Sequence, residues 1–452
     1  MTLSSLLQRA GTPDSAMVSD GLSLFSWRDA VDQASRLDPA RWYGRTVLLA
    51  VSTQIEAARA LVLLDGLARR IVLLPPDVKS EHLAAIARDA AVDIALCTDT
   101  AAFNTLGIDA IHFSEAFSAA AEGGAQTLAT EWLMLTSGTT GEPKIAVHSL
   151  AGLTGAIAAP DPAAPRPIWA TFYDIRRYGG LQIFLRAVAG GASLVLSRPD
   201  EPVQDHLRRL AASHVTHVSG TPTHWRRALM SEASTIFTPG YIRLSGEIAD
   251  QAILDSLKAA YPAAAIGHAY ASTEAGVGFD VNDGLEGFPQ SYLTAPRNGV
   301  EMRVIEGALQ IRSSRTSSGY AGRADLVMKN DAGWVDTGDM IEQRDGRCYF
   351  AGRRGGIINV GGLKVHPEEI EAVINRHEAV LQSRVRSRKS PVIGAIVVAD
   401  VMLKPTTGEV DAVKQSIAAL CRASLPPHKV PAVFSTVASI EMTSGGKVAR
   451  HA

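Results

Sequence analysis

Cysteine is scarce. The 452 residues contain 3, at positions 97, 348 and 421, far apart and without a C-x-x-C pair. Such spacing builds neither a disulfide framework nor a zinc site, and it suits a reducing compartment. A basic excess is lacking too. Lys plus Arg number 44 against 46 Asp plus Glu, a formal charge of −2, which leaves no electrostatic footprint for nucleic acid or an anionic membrane. Long apolar runs are missing. The longest, PVIGAIVVADVML at 391–403, is too short to span a bilayer and carries Asp400. The opening MTLSSLLQRAGTPDSAMVSD has no basic segment followed by an apolar one, so no signal peptide is expected. Repeats at a solenoid period and low-complexity segments are absent. These absences predict a soluble, cytoplasmic protein with no nucleic-acid partner and no membrane span, a monomer or a homodimer.

What is present is globular. Hydrophobic residues at 46% and charged residues at 20% exclude a disordered, collagen-like or coiled-coil chain, and the length predicts two to four compact units. The first third alternates strand and helix signals: RTVLLAVS (45–52) and RIVLLPP (70–76) as strands, QIEAARALVLLDGLA (54–68) as a helix, SEHLAAIARDAA (80–91) as a helix capped by Ser80, and VDIALCT (92–98) as a third strand. This rhythm predicts a largely parallel sheet covered by helices. It continues through WLMLTS (132–137), ASLVLS (192–197) and VTHVSG (215–220). From about 295 to 350 the pattern turns to short strands, with Asp345-Gly346 as a hairpin signal. After AGRRGG (351–356) a new α/β unit begins. Its glycines at 355 and 356 fit either a hinge or an ordinary turn.

The segment LMLTSGTTGEPKIAVHS (133–149) carries the most chemistry. Thr136, Ser137, Gly138, Thr139, Thr140 and Gly141 form a hydroxyl-and-glycine loop directly after an apolar strand, with Lys144 just beyond. Glycine lets backbone approach an anion closely, successive N–H groups make an anion-binding concavity, and lysine adds positive charge. This is a phosphate cradle, but not a Walker A loop, because the spacing differs and Pro143 would break the helix such a loop opens.

The run TSGTTGEPK resembles the nucleotide-loop signature of the acyl-adenylate-forming superfamily: acyl-CoA synthetases, adenylation domains of peptide synthetases, and luciferases. Further motifs follow in that family's order. YASTEAG (270–276) is similar to its Y-G-x-T-E element, with Ala271 where glycine is usual. DTGD (336–339) matches its ribose-binding element. GRRGGIINVGGLKVHPEEIE (352–371) resembles its hinge and the start of its mobile C-terminal domain, and SGGKVAR (444–450) its catalytic-lysine element. The resemblance covers nearly the whole chain. It implies an α/β fold: a large N-terminal domain, residues 1–352, of mixed parallel-sheet αβ subdomains plus a small β-barrel-like subdomain, and a small mobile C-terminal α+β domain, residues 353–452.

The implied reaction joins two anions, a carboxylate and ATP, so the site must neutralise charge and position the reactants. The resemblance implies that Thr136–Gly141 and Lys144 hold the β- and γ-phosphates, that Glu274 holds Mg²⁺ and that Thr273 meets the α-phosphate. Tyr270 would offer its face to adenine, Asp339 would accept from the ribose hydroxyls, and Arg353 would touch ribose or phosphate. Gly246 and Glu247, in SGE (245–247), border the acyl and adenine pockets. Lys447 would bridge the acyl carboxylate and α-phosphate. In a second half-reaction the C-terminal domain would rotate, withdraw Lys447 and bring Gly361 and Gly362 beside a pantetheine channel. The hinge departs from the family, with Gly355 and Gly356 where Asp or Lys is common, and the C-terminal domain looks abbreviated around 383–396.

The segment TFYDIRRYGGLQIFLRAVAGGASLVL (171–196) lies where the family it resembles lines its acyl pocket. Arg177, Tyr178, Gly180 and His268 are candidate acid contacts, with His217 and Trp225 as further liners. No free acid is placed to pair with an amino group, which argues against an amino-acid substrate. An arginine near 176–178 either meets a second carboxylate or faces solvent, and solvent is the more ordinary outcome. Three functions remain open: an acid–thiol ligase using ATP, Mg²⁺ and CoA on a small carboxylic acid; a stand-alone enzyme loading the phosphopantetheine of an acyl carrier protein; and a nucleotide-binding regulatory protein without turnover.

Overall fold

The computed structural model describes residues 1–117, 127–136, 143–161, 163–360, 362–390, 394–405, 409–443 and 445–449. Two large, mostly parallel sheets form the body. The seven-stranded sheet runs in the order 319–320, 144–149, 131–136, 70–73, 46–50, 94–97, 109–112, and the eight-stranded sheet in the order 276–281, 265–272, 241–245, 217–220, 168–171, 193–195, 17–19, 24–26. In both, antiparallel pairing is confined to the ends of the sheet, where in the seven-stranded one 144–149 runs against both its neighbours. One hydrophobic cluster joins the sheets, from Val47, Ile71 and Leu96 on one side to Trp169, Phe184 and Leu194 on the other.

Between them lies the helix Gln54–Leu64. Its N-terminus is a capping box, Thr53 with Glu56. Nine of its eleven residues are buried, which explains why its sequence is apolar all round rather than on one stripe. Its single polar end is also satisfied: Gln54 Nε2 donates to the Ser197 carbonyl at 2.7 Å and Gln54 Oε1 accepts from the Ile175 amide at 2.8 Å.

The strands expected after residue 295 form a five-stranded antiparallel sheet, ordered 288–289, 347–353, 335–344, 308–313, 300–305. Asp345 and Gly346 turn its longest hairpin with φ of 51° and 74°, the double positive φ that a two-residue turn needs. The C-terminal unit packs helices Pro367–Ile374 and Val410–Ser424 on strands 380–390, 394–403 and 433–436, around a hydrophobic cluster of its own. The long strand Val380–Ser390 gave little signal because it is rich in charge. Two of its arginines bury Asp400 of the neighbouring strand, Arg384 at 2.9 Å and Arg386 at 3.0 Å. Asp400 therefore sits inside a sheet, with its charge paired.

Ser80 does not cap a helix. Residues Ser80–His82 wind as a 3-10 turn and the helix begins at Leu83, because the buried stripe of Leu83, Ile86 and Ala90 starts only there. Gly355 and Gly356 lie in a 3-10 turn, Arg354–Gly356. Neither has positive φ, and a Cβ at either would meet nothing within 4 Å. Locally this is an ordinary turn. Among the described residues no helix is long and apolar enough to cross a membrane.

Candidate active site

The glycine-rich loop connects two paired strands. Glu131–Thr136 and Lys144–Ser149 run antiparallel with Thr136 opposite Lys144, so the ends of the loop are held side by side. Ser137, Gly138, Thr139, Thr140 and Gly141 lie outside the described residues. Lys144 Nζ stands 5.4 Å from the centroid of the Tyr320 ring, within cation–π range, and Tyr320 Oη donates to Glu274 Oε1 at 3.5 Å. Tyr320 carries no motif, and sequence reasoning missed it. Its short strand pairs with Ala146 and Val147, and that pairing alone brings it between the lysine and the carboxylate. Burial, then Glu274, pushes its phenol up to about 12, so it remains a neutral donor.

Glu274 is fixed through its backbone. Its carbonyl accepts from the Ser317 amide at 2.9 Å, and Ser317 Oγ donates to the Val147 carbonyl at 2.9 Å. Next door, His148 Nε2 donates to the Thr273 carbonyl at 2.7 Å. Burial lowers that imidazole to about 4, which keeps it neutral. Thr273 and Glu274 are thus spliced to the strand that leaves the loop. Among the described residues no cluster of three or more His, Cys, Asp or Glu could hold a metal. A single carboxylate still fits Mg²⁺, which takes most of its oxygens from water and phosphate.

A second group forms around Asp339. Tyr270 Oη donates to its Oδ2 at 2.5 Å and Arg353 Nε to its Oδ1 at 3.0 Å. Each carboxylate oxygen keeps a lone pair for another donor. Burial, then Asp339, holds the Tyr270 phenol far above its ordinary range. Its ring lies nearly parallel to Phe350 and Phe279, with centroids 5.2 and 5.6 Å away. The DTGD turn aims Asp339: Thr337 Oγ1 donates to the Leu309 carbonyl at 2.8 Å and accepts from the Asp339 amide at 3.1 Å.

The chain's end docks into the same cleft. Gly246 adopts φ +83°, and a Cβ there would lie 3.4 Å from Lys447 Cε. Glu247 Oε1 accepts from the Val448 amide at 2.9 Å while its Oε2 accepts from the Thr223 amide at 3.0 Å. Thr221 Oγ1 donates to the Gly446 carbonyl at 2.8 Å. Gly446, at φ +72°, lies against His224, whose Cε1 would be 2.0 Å from a Cβ; only glycine fits. Thr221 and His224 were also missed, since a capping box at a helix start is not a catalytic signature. Lys447 is open to the cleft yet enclosed by protein. Burial, and then Arg353, lowers its pKa from the usual lysine range, while Glu247, Asp339 and Glu274 pull the other way. Residues from four other motifs therefore act on one ammonium group.

The expected acid contacts disperse. Arg177 precedes the helix Tyr178–Gly190 and pairs with Asp77. Arg176 is 1% exposed and pairs with Asp174 at 2.6 Å, so it does not face solvent. Gly180 is a packing glycine: a Cβ would meet the Asp174 carbonyl oxygen at 2.2 Å. Tyr178 is buried on the first turn of the helix, 5.6 Å from the His148 ring. His268 is bound through Nε2 to the Leu285 carbonyl at 3.0 Å. Trp225 is fully buried in the core, and His217 packs on Trp169 at 4.8 Å. Gly361 lies outside the described residues. Gly362 turns a hairpin of the C-terminal unit with φ +87°.

This fold and this convergence of motifs define an adenylate-forming enzyme. The model of the AMP-binding enzyme family matches residues 44–319, and that of the AMP-binding enzyme C-terminal domain matches 369–447. The chain belongs to this family, the acyl-adenylate-forming superfamily, and is by class an AMP-forming acid–thiol ligase. It is 29% identical over 333 residues to the 2-succinylbenzoate–CoA ligase of Salmonella typhimurium, an alignment covering 71% of this chain and 67% of that protein. The Escherichia coli 2-succinylbenzoate–CoA ligase is 28% identical over 55% of this chain and 53% of its own length. In fold the chain is similar to the anthranilate CoA ligase AuaEII in complex with anthranoyl-AMP, with TM-score 0.84, 17% identity and coverage of 99% and 95% of the two chains. A benzoate CoA ligase from Burkholderia xenovorans LB400 gives TM-score 0.84 at 19% identity over 99% and 98%.

Proposed function

We propose that the protein activates a small carboxylic acid with ATP and passes the acyl group to CoA. One observation carries the reading: Lys447, from the far end of the chain, enters the cleft where Tyr270, Asp339, Arg353 and Glu274 already converge. In the first step a carboxylate oxygen attacks the α-phosphorus of ATP. The bond to the β-phosphate breaks, and pyrophosphate leaves. Lys447 neutralises the charge that builds between the two anions, and Lys144 and the 136–141 loop hold the departing phosphates. Asp339 receives the ribose, and Tyr270, braced by two phenylalanine rings, borders the base. Glu274 would hold Mg²⁺, which supplies further charge neutralisation at the phosphates. In the second step the CoA sulfur attacks the acyl carbonyl, its proton passes to solvent, and AMP leaves. The two steps need different neighbours, so residues 353–452 would turn as a unit against 1–352 near 353–356, drawing Lys447 out and bringing Gly361 and Gly362 in.

The names of the relatives, ligases of 2-succinylbenzoate, anthranilate and benzoate, support an aryl or acyl acid and CoA as acceptor. Pyrophosphate release from ATP and Mg²⁺ across a panel of such acids tests the first step; release with none of them refutes it. Supplying CoA or a holo carrier protein then identifies the acceptor, and faster transfer to the carrier would overturn the choice of CoA.

A further inference from the structure

A site that offers one ligand both a cation and a carboxylate has a difficulty before the ligand arrives. Lys144 is assigned above to the phosphates and Glu274 to their Mg²⁺. Opposite charges left facing each other in a half-buried cleft attract strongly and close into an ion pair. Such a pair would occupy the ammonium group that phosphate needs and the oxygens that a metal needs. Glu274 is also felt by two further cations, Arg353 and Lys447. Yet among the described residues neither Lys144 nor Glu274 makes an ion pair. The fold keeps both of them open.

The segment 317–321 does this, because it is tied to both sides. At its start the Ser317 amide donates to the Glu274 carbonyl at 2.9 Å, and at its end the Ala321 amide donates to the Ile145 carbonyl at 2.8 Å, one residue from Lys144. Between them the Ser318 amide donates to the Val147 carbonyl at 2.8 Å. Lysine and carboxylate thus hang from one short stretch of backbone, and Tyr320 is the side chain which that stretch places between them. Its two ends act differently. The ring face takes the ammonium group, 5.4 Å from the centroid, and the hydroxyl donates to Glu274 Oε1 at 3.5 Å. Neither contact exhausts its partner. A ring face attracts a cation without neutralising it, and one hydroxyl leaves the carboxylate its other lone pairs. Burial, then Glu274, pushes the phenol up to about 12, so the donor persists throughout the ordinary pH range.

We propose that Tyr320 is a positioning residue that holds Lys144 and Glu274 apart while the site is empty, so that the lysine stays open to phosphate and the carboxylate to the accompanying divalent cation. The inference rests on the proposed adenylation but is read in a separate quantity, nucleotide binding. Calorimetric titration of the full chain with ATP, once with Mg²⁺ and once with EDTA, tests it. Tyr320→Phe keeps the ring and loses the hydroxyl. Its ATP affinity in EDTA should match wild type, while the gain in affinity brought by Mg²⁺ should shrink about 3–10-fold, the worth of one hydrogen bond. Tyr320→Leu removes the spacer. Its ATP affinity in EDTA should fall about 3–5-fold, because phosphate must first break the new ion pair. Adding Glu274→Gln to Tyr320→Leu should restore affinity to within about twofold of Glu274→Gln alone, since no carboxylate is left to capture Lys144. A tyrosine that only supports the fold predicts the reverse, an undiminished deficit in the double variant. That deficit, or wild-type affinity in Tyr320→Leu, would overturn the proposal. Should Tyr320→Leu fail to fold, Tyr320→Phe is read alone: a smaller Mg²⁺ gain sustains the proposal and an unchanged one refutes it. Absence of pyrophosphate release with every acid would sink adenylation and leave the binding comparison to decide this point. A wild-type chain that binds no ATP would sink both.

Discussion

In the proposed adenylation, Lys447 concentrates the chemistry into one side chain. Replacing it with alanine should reduce pyrophosphate release by about 10²–10³-fold, the usual cost of losing one group aimed at developing charge. Transfer from a presynthesised acyl-adenylate to CoA should persist, and a stopped-flow comparison of the two half-reactions would show whether it does. Because surrounding protein lowers this lysine, adenylation kcat/KM should fall with rising pH before the ordinary lysine range is reached. The sign follows from the reaction, since only the protonated amine neutralises the phosphate. The gathering of these residues in one cleft was readable in advance: Tyr270, Glu274, Asp339, Arg353 and Lys447 each sit in a run whose order is informative. Tyr320, Thr221 and His224 were not. Their importance comes from what strand pairing or packing places beside them, and their local sequences are ordinary.

At the level of elements, the hairpin that bears Lys447 is held by backbone. Glu247 bridges the amides of Thr223 and Val448, and Thr221 grips the Gly446 carbonyl. Gly446→Ala should therefore act as a docking defect. The new methyl group meets His224 and the backbone takes a left-handed conformation that costs about 1–2 kcal/mol. Pyrophosphate release should drop sharply while the melting temperature stays near wild type, and the added change His224→Ala should recover part of the loss. Calorimetry alongside the activity measurement checks both. Elements were well read where periodicity was strong, as in Gln54–Leu64 and the Asp345-Gly346 hairpin. Val380–Ser390 escaped because its arginines serve a buried partner, Asp400, that lies in another strand.

For the whole molecule, Asp65 offers a handle on stability. It joins the first helix, the end of the central helix and the strand 131–136, accepting from the Leu3 amide at 2.8 Å and from Trp132 Nε1 at 3.2 Å. Burial raises its carboxyl from 3.8 to about 7. The folded state thus favours the protonated acid. That contribution is complete below about pH 4 and is lost as pH rises through 7, by at most about 4 kcal/mol. Urea unfolding at pH 5 and pH 8 should show the decline, and Asp65→Asn should flatten it. The layered architecture was legible because parallel strands and buried helices write long apolar runs. How the C-terminal unit docks was not, because its seam consists of single polar pairs such as Asn375 with Asp250 at 3.2 Å and Gln382 with Thr223 at 3.2 Å.

The helix Gln54–Leu64 has one last implication. Because both great sheets close on it from opposite sides, the body has no clamshell to open. If residues 353–452 turn against the body as proposed, reactants and products pass beneath that C-terminal flap, and the tempo of turnover becomes the tempo at which it lifts. A covalent staple from flap to body should imprison the first adenylate formed and leave the enzyme silent after a single event.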